Sequence, residues 1–522
     1  MRLLRASRRG GVVMKAFTML TPLVLLLAGL LWSASAPAAL REPAHAGRFY
    51  PSDSKKLEAA VRAFLEDAVP PSGERPVGLV APHAGYVFSG QIAADAYRQA
   101  AGFEYDVVIV LATNHTVEPF PGVSVFGGDG YRTPLGLARA DRGLARTLHE
   151  ADPSFAYRPE AHAREHSEEV QIPFLQVLFP KVPVLSAVVG SAEPGVCKRF
   201  GQVLARALAG RKALLVASTD LSHYPGWGDA VEADRRTLEA VVSLDADTLR
   251  STLDREERRG RPGLQTCACG EGSLLSLMEA AKALGARRGA VVSYANSGDT
   301  VFGELDRVVG YGAVVLTAGA GPSDTTALNP PAAAEAVGPL PAADRETLLR
   351  LARRTLERYF ATDTVPLPRP ASPALRAERG AFVTLHEKGE LRGCIGHMAQ
   401  DTPLALTVSR MAIQAALHDT RFDPVRPEEL PHLEIEISAL TPFARVPGPG
   451  SVAVGRDGVL IRKGGRSAVF LPQVATEQGW GREELLTHLC RKAGLPDDAW
   501  RGPCELFTFQ AEVFGEAKRE ER

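Results

Sequence analysis

The sequence predicts an α/β domain followed by a smaller α+β domain. The chain has 522 residues, more than the roughly 100–200 residues of a typical single domain. In its first part, short apolar runs alternate with helical patterns, which is typical of a largely parallel sheet covered by helices. In its second part, one amphipathic helix precedes several segments that have the period-two alternation of half-buried strands.

The composition marks the domain boundaries. Residues 318–343 are rich in Ala, Pro and Gly, which is typical of a semi-extended linker. This linker separates a first domain at 41–317 from a second domain at 344–516, and a charged tail follows at 517–522.

Residues 1–39 have the pattern of a secretory signal peptide. Basic residues precede the apolar run Leu23–Trp32, and small residues follow it as far as Ala39. The run is shorter than the roughly 20 residues that span a bilayer. We therefore expect an exported protein, periplasmic or otherwise extracytoplasmic, with an uncleaved N-terminal membrane anchor as the alternative.

Charge and composition exclude several classes of protein. The 60 basic and 61 acidic residues give a net charge of −1, which argues against nucleic-acid binding as the main task. Hydrophobic residues make up 45% of the chain and charged residues 23%, which excludes wholesale disorder and a polytopic membrane protein. A small molecule or a protein remains as the expected partner.

The predicted strands of the first domain are apolar runs with helical patterns between them. The strands are Val77–Ala81, Val107–Ala112, Val182–Val189, Ala213–Ala217, Ala290–Ala295 and Val308–Leu316. The helices are Ser89–Ala100, Glu168–Leu178, Val196–Ala209, Asp229–Val242 and Gly272–Leu284. The second domain is predicted to contain the helix Arg345–Phe360 and then the strands Ala381–His386, Leu391–Ile395, Leu433–Leu440, Val459–Arg462 and Ala468–Leu471.

Polar side chains follow three of the predicted strands of the first domain. His83 comes directly after one strand, His115 after the next, and Asp220 and His223 after a third. In open α/β sheets, ligands bind outside the carboxyl ends of the strands, so we expect these side chains to converge. Each one alone has a structural explanation as a hydrogen-bonding loop residue, but three imidazoles at strand ends favour a metal site.

Cys269 supplies a third donor of suitable chemistry, because it lies just before a predicted helix. The dipole of a helix N-terminus favours the thiolate form of a cysteine, which is the form that binds metals. Two imidazoles and a thiolate suit copper or zinc, and iron also stays open. Asp220 and His223 would then orient the donors or transfer protons. The polar cluster Glu165–Glu169, which includes His166, also contributes candidates.

Six ordered motifs of the first domain resemble the Memo family, also called AmmeMemoRadiSam system protein B. They are Ala44–Tyr50, Ala81–Tyr86, Asn114–Thr116, Glu165–Phe174, Ser218–Tyr224 and Cys269-Gly270. The second domain resembles the AMMECR-type domain, AmmeMemoRadiSam system protein A, through Leu391-Arg-Gly-Cys-Ile-Gly396, Arg421–Val425 and Leu433–Ser438. Within the first of these runs, Arg392 and Cys394 are further candidates, although a packed strand explains them better.

The resemblance implies a first domain with a sandwich fold like that of the class III extradiol dioxygenases. It also implies a metal held by His83, His115 and Cys269, with Asp220 and His223 beside it, and a radical-SAM partner protein. Those dioxygenases have a carboxylate where this chain has Cys269.

We therefore expect an exported metal-dependent oxidoreductase with one metal ion, copper or iron rather than zinc. A metal- or peptide-binding module without turnover is the alternative from another class. A zinc-dependent hydrolase is the third hypothesis, because zinc also accepts His and Cys ligands with one position open.

Overall fold

The computed structural model describes residues 39–329 and 339–516. The predicted signal peptide therefore lies outside the described residues except for Ala39, as do the middle of the predicted linker and the charged tail. Within the described ranges, no helix is both long and apolar enough to cross a membrane.

A seven-stranded mixed sheet forms the centre of the first domain. Its strands in spatial order are β4 (Val123–Val125), β7 (Val184–Val189), β3 (Val107–Thr113), β8 (Ala213–Ser218), β2 (Pro76–Ala81), β10 (Gly310–Thr317) and β9 (Arg288–Asn296). The four central strands run parallel, and the strands at both edges are antiparallel. All six predicted strands form and lie in this sheet, so the predicted α/β class is confirmed.

Helices cover the sheet and bury its apolar strands. They are α1 (Ser54–Glu66), α2 (Tyr86–Arg98), α3 (Arg142–Ala151), α4 (Pro159–Ala163), α5 (His166–Glu169), α6 (Ile172–Leu178), α7 (Pro194–Ala207), α8 (Trp227–Val242), α9 (Ala246–Glu257) and α10 (Glu271–Ala283). A small sheet of β1 (Leu40–Arg41), β5 (Gly130–Thr133) and β6 (Gly136–Arg139) lies beside them. Every residue of β2, β7, β8 and β10 is buried, as expected for strands packed on both faces.

The predicted single helix Glu168–Leu178 is wrong, because the structure divides it into α5 and α6. Pro173 lies in the first turn of α6. A proline has no backbone N–H to donate into a preceding helical turn, and its ring clashes with the carbonyl four residues earlier. The chain therefore starts a new helix here, and the short α5 keeps its own orientation next to the strand ends.

The second domain contains two four-stranded antiparallel sheets. The first has the order β12 (Glu390–His397), β11 (Ala381–Glu387), β13 (Leu433–Leu440), β18 (Ala511–Gly515), and the second has β14 (Ala444–Val446), β17 (Glu505–Phe509), β15 (Gly458–Lys463), β16 (Arg466–Phe470). Its helices are α11 (Ala342–Thr362), α12 (Pro373–Arg376), α13 (Leu404–Leu417), α14 (Pro472–Glu477) and α15 (Arg482–Lys492). The predicted helix and all five predicted strands are present, which confirms an α+β domain.

All six cysteines are free thiols. A disulfide between Cys490 and Cys504, which the sequence left open, is therefore not formed in this structure.

Candidate functional site

Three histidines meet at the carboxyl ends of the parallel strands. His83 follows β2, His115 follows β3, and His166 is the first residue of α5. The ring centroids are 5.0 Å apart for His83 and His115, 4.5 Å for His115 and His166, and 5.3 Å for His83 and His166. One nitrogen of each ring lies within 4.8 Å of the others, which is close enough for all three to bind one ion.

Burial differs within this histidine cluster, so the cluster has an inner and an outer side. The His83 side chain is 1% exposed, whereas His115 is 26% and His166 19% exposed. Solvent and small ligands therefore reach the cluster from the side of His115 and His166.

Cys269 lies on the inner side, next to His83. Its Sγ is 3.2 Å from Nε2 of His83, 3.8 Å from the hydroxyl of Thr219 and 3.7 Å from the carbonyl oxygen of Asp220. Burial and the charge of Asp220 raise the pKa of the Cys269 thiol well above its ordinary value. Burial therefore opposes the thiolate that the helix N-terminus is expected to favour.

Ser218 fixes which nitrogen of His83 carries the proton. The Ser218 hydroxyl donates to the carbonyl of Ser167 at 2.6 Å and accepts from the amide of Gln171 at 2.9 Å. Its oxygen is 3.0 Å from Nδ1 of His83, and because its own proton is already used, Nδ1–H must be the donor. Burial, together with the neighbouring histidines, keeps the pKa of His83 well below its ordinary value. Nε2 of His83 therefore carries no proton, and it faces Cys269 with a lone pair that can bind a metal ion.

Glu165 fixes His115 in the same way. The fully buried carboxylate accepts from the His115 backbone N–H at 2.7 Å and lies 2.9 Å from Nδ1 of the same residue. It also caps α5 by accepting from the Ser167 N–H at 2.9 Å. Burial would raise the pKa of Glu165, but the hydrogen bond and charge of His115 and the charge of His166 outweigh burial and lower it. The carboxylate is therefore ionised and orients the ring, leaving the other nitrogen of His115 for a ligand.

Arg41 anchors the short helix that carries this part of the site. Its buried guanidinium donates to the carboxylates of Glu168 at 2.9 Å and Glu169 at 2.6 Å. It also donates to the backbone carbonyls of His162 at 2.9 Å and Glu165 at 2.8 Å. Three of these bonds tie β1 to α5 and its N-cap residue Glu165, and the fourth ties β1 to α4. With only four residues, α5 has little stability of its own.

Asp220 contacts His83, and His223 is near enough for the charge of His115 to act on it. Oδ1 of Asp220 accepts from the backbone N–H of His83 at 2.8 Å, and Oδ2 is 3.9 Å from Nε2 of that residue. Burial raises the pKa of Asp220 to about 6. Burial and the charge of His115 lower the pKa of His223 to about 4. Nε2 of His223 is buried and has no hydrogen-bond partner within residues 39–329 and 339–516.

A protein-family model matches most of the first domain. The family model described as "Memo-like protein" matches residues 41–315, which is more than half of the chain. This chain belongs to the Memo-like family. A MEMO1 family protein of Nitrosopumilus maritimus is 33% identical over 281 residues, which are 53% of this chain and 98% of that protein. A MEMO1 family protein of Methanosarcina barkeri is 35% identical and is covered completely by 53% of this chain.

The Memo-like domain is followed by an AMMECR1 domain, whose family model matches residues 349–514. An uncharacterized protein of Pyrococcus horikoshii with a known crystal structure is 41% identical over 33% of this chain and 90% of that chain, with a TM-score of 0.29.

The two candidates in the AMMECR1 domain have structural contacts within their own domain. Arg392 pairs with the carboxylate of Glu429 at 2.7 Å and donates to the carbonyl of Asp423 at 2.9 Å. The Cys394 N–H donates to Asp419 at 2.8 Å, and its Sγ accepts from the hydroxyl of Thr384 at 3.3 Å. These bonds hold β12 against the loop that follows α13, in agreement with a structural role.

The sequence reasoning missed the residues that support the donors of the Memo-like domain. Ser218 and Gln171 were not singled out, and neither was Arg41. The run Ser167-Glu168-Glu169 could have pointed to Arg41, because these residues are buried and a buried carboxylate requires a cationic partner elsewhere in the chain.

Proposed function

We propose that the Memo-like domain binds one copper or iron ion through His83, His115 and Cys269 and is an exported metal-dependent oxidoreductase with a dioxygenase-like site. The hydrogen bonds of the two imidazoles support metal binding most directly. Each ring uses Nδ1 towards a fixed partner, Ser218 or Glu165, which leaves the other nitrogen as a donor. Metal-binding histidines almost always have such a partner on the second ring nitrogen.

The chemistry of the donor set fits the proposed ion. Imidazole nitrogen and thiolate sulfur are ligands that copper, iron and zinc accept. The Cys269 thiol is neutral without a metal, so binding would release its proton, as metal binding by thiols generally does. His166 is the alternative third donor, because its ring nitrogen belongs to the group of atoms within 4.8 Å. When bound, the ion would supply Lewis-acid and redox chemistry.

Two residues of the chain are suited to proton transfer at this site. His223 is neutral at pH 7, and its buried Nε2 has no hydrogen-bond partner among the described residues, so in the tautomer protonated on Nδ1 it would accept a proton from a substrate. Asp220 holds the His83 backbone through Oδ1, while Oδ2 faces the ring of His83. We therefore assign proton acceptance to His223, and the positioning of His83 to Asp220.

Elemental analysis of variants tests the donor assignment. We expect the purified protein to carry about one equivalent of copper or iron, and His83→Ala combined with Cys269→Ser to abolish this binding. His149→Ala combined with Cys267→Ser is the matched control, because these residues of the same domain lie outside the donor set. His166→Ala alone distinguishes the two alternatives for the third ligand, because it should remove the metal only if His166 and not Cys269 binds it. Metal retained by the double donor variant, or lost from the control alone, contradicts the assignment.

Oxygen consumption tests the proposed turnover. We expect the metal-loaded protein to consume oxygen with a phenolic or related substrate, and His223→Ala to keep the metal but lose this activity. A full metal content without oxygen uptake over a broad substrate panel would instead support a binding module without turnover. Cys269, at the position where the dioxygenases have a carboxylate, favours this alternative. Bound zinc with ester or amide hydrolysis would support the hydrolase hypothesis.

A further inference from the structure

The AMMECR1 domain contacts a surface of the Memo-like domain that several chain segments form. We call this surface the docking face. It consists of α1 and the following Asp67, of α2, and of the loop 297–303. The AMMECR1 domain covers it with α11, with the segment Thr364–Arg369 and with Arg410 of α13.

An ion pair between a buried carboxylate and a partly exposed guanidinium lies on the docking face. Asp95 of α2 is fully buried, and its two oxygens accept from the two terminal nitrogens of Arg369, one of them at 3.0 Å. Within the Memo-like domain, the same carboxylate accepts from the hydroxyl of Ser293 at 2.5 Å and from the Val69 N–H at 3.0 Å. The Memo-like domain thus presents a fixed carboxylate whose cationic partner comes from the other domain.

The charges on the two sides of the interface are complementary. Asp67 follows α1 and pairs with Arg358 at 2.5 Å and also with Arg354, both from α11. The guanidinium of Arg358 in addition lies 4.4 Å from the ring centroid of Phe64. At Asp67 the Memo-like domain therefore offers an acid to arginines of the AMMECR1 domain, whereas Lys56 of α1 pairs with Asp363 in the opposite sense at 2.7 Å. Such complementary pairs steer association and fix its orientation.

Arg410 recognises the backbone of the loop 297–303. Its guanidinium donates to the carbonyl oxygens of Gly298 at 2.7 Å, Thr300 at 2.9 Å and Gly303 at 2.9 Å. The loop also inserts Val301, which is 7% exposed and packs into the hydrophobic core of the AMMECR1 domain. Leu367 of the AMMECR1 domain likewise packs against the hydrophobic core of the Memo-like domain.

These contacts resemble those of a specific protein–protein interface, because a buried carboxylate is paired across it and apolar residues of each domain pack against the core of the other. The comparisons show that the fusion is not obligatory for the family. The MEMO1 family protein of Nitrosopumilus maritimus is matched over 98% of its length by 53% of this chain, so it has no counterpart of the rest.

We propose that the docking face is a recognition site for an AMMECR1 domain, which binds it without help from the linker. The two domains then form one particle as separate chains, held by Asp95–Arg369, the Asp67 pairs and Arg410. This inference is independent of metal binding, because none of these residues belongs to the donor set.

Cleavage of the linker in the assembled protein tests the proposal. A site-specific protease sequence is inserted between Asn329 and Pro339, the full chain is cut, and the fragments are followed by sedimentation over a dilution series. We expect the cut fragments to sediment as one complex. Arg369→Ala leaves Asp95 buried without its partner and is expected to raise the dissociation constant by at least about 30-fold.

Two further variants separate loss of recognition from loss of folding. Arg410→Ala removes contacts with three carbonyl oxygens and breaks no direct ion pair, and we expect it to weaken the complex as well. Arg350→Ala is the control, because this exposed residue of α11 pairs with Glu346 of its own helix, and it is expected to change nothing. Separation of the cut wild-type fragments at every concentration, or equal binding by all three variants, overturns the proposal.

Discussion

Replacing Arg41 with alanine should destabilise the Memo-like domain more than almost any other single change near the site. The guanidinium is buried and donates to two buried carboxylates, those of Glu168 and Glu169. Its removal leaves both carboxylates in the interior without a cationic partner. Breaking a buried ion pair from one side costs about 3–5 kcal/mol.

The expected change in melting temperature follows from this free energy. In domains of about 150–250 residues, each kcal/mol of destabilisation lowers the melting temperature by roughly 2–4 °C. We therefore expect Arg41→Ala to melt about 6–20 °C below the wild type. The affected segment is α5, so metal binding should weaken in parallel.

The effect should also depend on pH with a definite sign. In the wild type, burial raises the pKa of Glu169, but the charge and hydrogen bond of Arg41 are among the contacts that lower it below its ordinary value. This carboxylate therefore contributes stability above its unfolded pKa, and the contribution is lost as the pH falls. Without Arg41, only hydrogen bonds such as those from Tyr50 and His45 oppose burial, so the pKa of Glu169 rises relative to the wild type and the variant loses less stability as the pH falls. The difference in melting temperature between Arg41→Ala and the wild type should therefore become smaller as the pH falls from 7 to 4.

Scanning calorimetry at several pH values measures both effects. Arg132→Ala is the matched control, because its pair with Glu42 at 3.1 Å is exposed. Exposed pairs contribute roughly 0–1 kcal/mol. A melting temperature of Arg41→Ala equal to that of the control at pH 7 would refute the reasoning, as would a difference from wild type that grows towards low pH.

Three further predictions concern the neighbouring groups. Ser218→Ala removes the partner of His83 Nδ1 and should weaken metal binding about 10–100-fold in a competition titration, whereas an unchanged affinity would contradict the assigned tautomer. Burial raises the pKa of Asp234 to about 7, so ionising this carboxyl lowers the free energy of unfolding as the pH rises from 4 to 7. Asp234→Asn should reduce this decline, which urea unfolding at several pH values measures. An unchanged pH dependence in the variant would contradict the prediction. Cys394→Ser should leave the metal content unchanged, because its contacts lie within the AMMECR1 domain; metal loss would assign it a different role.

The sheet of the Memo-like domain could be predicted because its strands are continuous apolar runs. Val107–Thr113 is buried along nearly its whole length, as expected for a central parallel strand that is covered on both faces. The break between α5 and α6 was missed although Pro173 marks it. The helix Arg142–Ala151 was also missed, although Asp141 caps it and Leu144 and Leu148 have helical spacing.

The proximity of His83 and His115 could be predicted, but the protonation of the neighbouring Cys269 could not. His83 and His115 follow strands, and the order of parallel strands in a sheet brings such residues to one edge. The protonation of Cys269 depends on burial by chain segments far away in sequence, and only the fold supplies that. The hydrogen bond between His83 and Ser218 likewise joins residues 135 positions apart.

X-ray absorption spectroscopy of the metal-loaded protein tests the proposed donor set most directly. The account predicts one sulfur ligand and two imidazole ligands at the bound copper or iron, with the sulfur lost in Cys269→Ser and retained in Cys267→Ser. A metal environment made only of nitrogen and oxygen ligands in the wild type would contradict it.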